Sequence, residues 1–143
     1  MTDSGYSGTP LAKKLRIKPG HHLALLHAPR GWAVPDLPAD VVAERDPAAA
    51  DVTIAFYREA AELRADADKL VAALHPAACL WITWPRRAAG HRSDITDNDL
   101  REIFLPLGVV DVKVAAVGED WSGLAFVWRK ENRPAARSAA TKR

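Results

Sequence analysis

Two adjacent arginines behind a tryptophan, in TWPRRAAGHRSD (83–94), are the residues of this chain best suited to hold a ligand. A guanidinium presents a rigid fork of donors that matches phosphate or carboxylate, and an indole face stacks on a ring. Trp84, Arg86, Arg87 and Arg92 therefore make one candidate site, with a solvated basic loop and a core-covering Trp84 as the alternative. A second candidate is GYSGTPLAKKLRIKPG (5–20), where the Thr9 hydroxyl and Lys13 could hold an anion at a helix start. The competing reading is that Thr9 only caps the helix, ahead of Pro10. The third is GEDWSG (118–123), whose Trp121 is either presented for recognition or folded back over the core.

The better-known catalytic patterns are missing. A dinucleotide or adenosylmethionine site of the usual kind needs glycines after the first strand, so that backbone and helix N-terminus approach the cofactor. That position reads HAPRGW (27–32), and Glu44 or Asp46 would be an isolated acid where a ribose ligand is wanted. There is no Walker loop. The histidines at 21, 22, 27, 75 and 91 have no zinc spacing, and the one cysteine, Cys79, lies in an apolar run. DWSG lacks the glycine a nucleophile elbow requires two residues before the serine. No cofactor and no metal are expected.

The elements that must carry these loops follow from hydrophobic pattern. A capped helix begins at Thr9-Pro10, with Leu11 and Leu15 on one face. Apolar runs at 22–27, 51–57 and 79–84 read as strands buried on both faces. Residues 41–45 are a weaker strand, joined to the next by RDPAAA, which is short for a crossover that carries its own helix. Leu63, Ala67, Leu70, Val71 and Leu74 stripe a helix over 59–74, and Thr96 opens another that Pro106 and Gly108 close. The last two runs form a hairpin, with Val110, Val112 and Val114 on one side and Asp111 and Lys113 on the other.

Strands alternating with helices imply a single-domain α/β, Rossmann-like fold with a mostly parallel sheet and a C-terminal antiparallel hairpin. It resembles a truncated methyltransferase sheet. The domain spans 1–129, with 1–8 flexible. Residues 130–143 hold five Lys/Arg against one Glu, a net +4 that leaves the body at −2 in a chain of net charge +2. Such a tail reads as disordered, with at most weak attraction for nucleic acid. With 48% hydrophobic residues, no long apolar run, no signal-peptide pattern and one cysteine, the chain is expected to be cytoplasmic and to bind no membrane.

The segments YSGTPLAKKLRIKPG, DVTIAFY, LWITWPRR, SDIT, VDVKVAAV and DWSGLAFVWR together resemble a bacterial protein family of unknown function, over Tyr6 to Arg129. The family carries YSGTPLAKKLGIK-like, WPK-like and WSGL-like motifs. This chain departs from it in Arg16, where glycine is usual, and Arg86, where lysine is usual. The resemblance implies that Thr9, Pro10, Lys13, Trp84, Pro85, Asp94, Lys113, Trp121 and Ser122 are motif residues. It implies no activity. The reading reached from sequence is a non-catalytic binding or regulatory domain for a small anionic ligand or a protein partner. Two alternatives stand beside it. One is a small transferase or hydrolase in which Lys13, Arg86 and Arg87 bind an anionic substrate and Asp94 or Asp120 is the base. The other is an oligomeric structural protein.

Overall fold

In the computed structural model, residues 10–132 are described; Thr9 and most of the basic tail lie outside them. Six strands make one sheet in the order β2-β1-β3-β4-β6-β5, with β1 His22–Leu26, β2 Val42–Glu44, β3 Val52–Phe56, β4 Cys79–Pro85, β5 Val109–Ala116 and β6 Trp121–Trp128. The first four run parallel, and β6 and β5 return antiparallel. This is the expected α/β, Rossmann-like, mostly parallel sheet with an antiparallel C-terminal pair. The weak strand near Val41 joins it as the β2 edge. No helix of the described residues is long and apolar enough to cross a membrane.

Every residue of β3 and β4 is buried, as their unbroken apolar sequence requires for strands covered on both faces. On one face lie α2 (Ala60–Ala73) and α3 (Asp97–Phe104), whose Leu63, Leu70, Leu100 and Phe104 pack on Leu80, Ile82 and Phe126. Thr96 and Asp99 close a reciprocal capping box at the start of α3. On the other face, among the described residues, lie the four residues of α1 (Leu11–Lys14) and the loop carrying Trp32 and Val34. The link from β2 to β3 holds a single 3-10 turn, Pro47–Ala49, which is how so short a connection crosses β1.

Trp81, wholly buried, holds this thinner face together. Its Nε1–H donates to the Leu15 carbonyl at 3.0 Å, giving a buried donor its partner and pinning the end of α1. The ring lies against Gly123 of β6: a Cβ there would come within 3.0 Å of Trp81 and 2.6 Å of Val117. Beyond Leu15 the chain turns through Arg16 at φ 66°, a left-handed conformation in which glycine is unstrained. The Arg16 N–H donates to Lys13 O and the Ile17 N–H to Ala12 O, which is a complete Schellman closure with arginine at its left-handed position.

The hairpin differs in one respect from its alternation. A register shift between Asp111 and Lys113 leaves Val112 and Val114 exposed, while Asp111 accepts from Arg101 Nε at 3.1 Å and Lys113 Nζ donates to Lys14 O at 3.0 Å. Burial of Val109 and these polar contacts together hold the edge strand.

Two substitutions test this construction by urea unfolding. Gly123→Ala should lose about 2 kcal/mol by overpacking against Trp81 and Val117; an unchanged midpoint would show that the close approach is not a constraint. Arg16→Gly should gain about 0.5–1 kcal/mol, because relief of left-handed strain exceeds the added freedom of glycine in the unfolded chain. A lowered midpoint would contradict that.

Candidate functional site

The chain runs from β1 outward to β2, then returns past β1 to β3, so the direction of winding reverses between β1 and β3. In open α/β sheets ligands bind outside the carboxyl ends of strands at such a reversal. A cleft of about 440 Å³ opens at that point. Its walls come from the chain leaving β1 (His27), the chain leaving β3 (Tyr57, Arg58), the first turns of α2 (Glu62, Asp66) and the start of β6 (Trp121).

The strands deliver these side chains with little freedom. His27 takes φ 60° where β1 ends, a left-handed conformation that is strained for a residue other than glycine. Its ring meets Tyr57 edge-on at 5.2 Å, and its Nε2 lies 3.6 Å from Asp66 Oδ2. The Tyr57 hydroxyl donates to that same Asp66 oxygen at 2.7 Å. Burial, then the hydrogen bond to Asp66 and the negative charges of Asp66 and Glu62, push the Tyr57 phenol far above its ordinary value of 10.0. Tyr57 is therefore a permanent donor that orients the Asp66 carboxylate beside His27. On the opposite wall Trp32, Phe56 and Trp121 stack edge to face at 4.8 and 5.0 Å. The exposed Arg58 sits with its guanidinium carbon 5.1 Å from the Trp121 ring centre, a cation held at the mouth of the cleft.

The residues singled out from sequence do not gather at this cleft. Trp121 alone lines this cleft. Trp84 packs into the core on the α2 side, and with Arg86, Arg87 and Ser122 borders a shallower recess of about 320 Å³ against Thr96 and Asp97. Trp84 and Trp121 thus lie on opposite faces of the sheet. Lys13 is at the far, amino edge, beside Cys79 and Asp51. Lys113 is spent on the Lys14 carbonyl. Asp94 accepts from the Ala60 N–H at 2.8 Å, supplying from outside the cap that Glu59 does not give α2. Asp120 is 2.9 Å from His91. Of the two acids proposed as a base, one is a helix cap and the other a hydrogen-bond partner of His91. His27, Tyr57, Arg58 and Asp66 were missed, because Tyr57 and Asp66 belong to an apolar run and an amphipathic helix. The available signal was positional: the residues directly after β1 and β3 in a sheet of this order.

The Tyr57 shift has a consequence for stability. The folded state holds the phenolic proton to higher pH than the unfolded chain, so Tyr57 adds no pH dependence below about pH 10 and loses stability above it. From about pH 10 upward, unfolding free energy should fall by about 1.4 kcal/mol per pH unit on this account. Tyr57→Phe should flatten that fall in urea titrations; an equally steep fall in the variant would contradict it.

No protein-family model and no curated protein matches the chain. Solved structures share its fold. A fibrillarin pre-rRNA processing protein of Methanococcus jannaschii superposes with TM-score 0.53 at 14% identity, over 78% of this chain and 68% of that one. A TehB-like SAM-dependent methyltransferase of Corynebacterium glutamicum gives 0.53 at 10% identity, over 87% and 90%. Magnesium protoporphyrin IX methyltransferase of Synechocystis, with bound SAM, gives 0.52 at 11%, over 83% and 74%. These findings correct the expectation of a non-catalytic binding or regulatory domain, since that reading treated the missing cofactor loop as the absence of catalysis, whereas the architecture is one that methyltransferases use. At such identities, what is shared is the Rossmann-like methyltransferase fold.

Proposed function

We propose that this protein is a small general acid–base enzyme that acts on an anionic small molecule in the cleft between the carboxyl ends of β1 and β3. The observation that carries the reading is the Tyr57–Asp66–His27 cluster inside that cleft, with a guanidinium at its mouth. Arg58 binds the anionic group by charge-assisted hydrogen bonds. The aromatic wall of Phe56 and Trp121 takes the apolar part of the molecule. His27, paired with Asp66, accepts a proton from the attacking water or hydroxyl and returns it to the leaving group, while Tyr57 fixes the carboxylate. The fold neighbours support a catalytic role, and the lone, buried Cys79 suits the cytoplasm.

S-adenosylmethionine, which the fold suggests, does not fit in the usual way. The loop after β1 carries one glycine, Gly31, and leads to no helix, so no helix N-terminus faces a cofactor at the carboxyl end of β1. Glu44, at the end of β2 where an acid would hold a ribose, is hydrogen-bonded to His22 Nδ1. Transfer through that group is therefore no part of this mechanism.

Turnover of 4-nitrophenyl monoesters of small dicarboxylic acids tests the proposal. His27→Ala and Asp66→Asn should each lower kcat about a hundredfold with little change in KM. Arg58→Gln should raise KM about tenfold while kcat holds. Absence of turnover across the series, or full rates in the His27 and Asp66 variants, would overturn it.

A further inference from the structure

A second cavity, of about 450 Å³, lies at the amino edge of the sheet, where β3 and β4 begin. Its rim carries Lys13, Arg16, Lys18 and His21, and its floor is apolar, with Ile17, Val52 and Val127 beside the buried Cys79. The strands between this edge and the catalytic cleft are five to seven residues long, a separation on the order of 17 Å.

We propose that this cavity binds a phosphate monoester with a compact apolar body, at a site distinct from the catalytic cleft. Three observations converge on the assignment. The rim donors are oriented: His21 Nδ1 accepts from the Lys18 N–H at 3.1 Å, so the ring carries its proton on Nε2 and serves as a donor. The lining sets three cations, Lys13, Arg16 and Lys18, against one carboxylate, Asp51, whose Oδ2 accepts from the His22 N–H at 2.8 Å. Arg16 occupies a left-handed position that glycine would fill without strain, and its side chain lines this cavity. Strained backbone retained at a cavity rim is a mark of a working position.

Arg16, on this rim, opposes the upward push that burial gives the Cys79 thiol in the same lining. A phosphate at the rim meets lysine, guanidinium and imidazole donors together, the set that favours a phosphate over a neutral polar group. The concave shape and apolar floor select a small molecule with an apolar body over a bare ion.

Calorimetric titration and thermal melting of the full chain with phenyl phosphate, inorganic phosphate, phenol and a thymidine oligonucleotide test the site. Phenyl phosphate should bind and raise the melting temperature, inorganic phosphate should bind more weakly, and phenol should not bind. Arg16→Gly should melt higher than the parent without ligand, yet lose at least tenfold in affinity for phenyl phosphate. Lys13→Gln should lose affinity similarly. Because the first variant gains stability while losing binding, a folding defect cannot mimic the result. The proposal is overturned if phenyl phosphate produces no shift at millimolar concentration, if Arg16→Gly binds it as tightly as the parent, or if the oligonucleotide binds more tightly than phenyl phosphate.

Discussion

The indole of Trp81 is the constraint on which the thinner half of the molecule depends. It stands in the middle of β4 with no exposed surface, and its N–H needs a partner inside the protein. That partner is the Leu15 carbonyl, so a helix of only four residues is docked by a hydrogen bond as well as by the burial of Ala12, Leu15 and Ile17. The ring also demands a residue without a side chain opposite it, which Gly123 provides. One side chain thereby ties the first helix to the central strands and sets β6 in close contact with β4. Both sites inherit their walls from it: Trp121 begins β6 at the carboxyl edge, and Arg16 follows Leu15 at the amino edge.

Around that anchor the sheet has the overall fold seen in methyltransferase structures, and two of its links are sparsely covered. The link leaving β1 has no helix, and the link from β2 to β3 has a single turn. The topological reversal between β1 and β3 opens the cleft. At it stand a histidine in a left-handed conformation, a buried phenol that remains a donor, and the carboxylate that accepts from it.

Much of the fold was legible because it is written in local pattern. The continuous apolar runs of β3 and β4, the stripe along α2, the capping box of Thr96 and Asp99 and the turn between β5 and β6 are all short-range signals. The candidate site was less legible because its members meet only in three dimensions. Tyr57 and Asp66 look like a strand end and a helix surface until α2 is packed beside β3. Asp94 looked like a free acid, yet its work is to cap a helix that begins at Ala60. Lys13 and Trp84 share a motif-like appearance in sequence, but strand direction sends them to opposite edges. The expectation of a non-catalytic domain had the same origin, since it followed the loop after β1 and could not weigh residues contributed by α2.

The central claim is that the carboxyl-edge cleft recognises small anionic molecules through Arg58 and the Tyr57–Asp66–His27 cluster. The most direct measurement is a two-dimensional amide NMR titration of the full chain with succinate. The account predicts saturable shifts concentrated at His27, Tyr57, Arg58, Asp66 and Trp121, with Trp84 and Ser122 unmoved. Shifts centred instead on Arg86, Arg87 and Ser122, or no saturable shift at the five cleft residues, would contradict it.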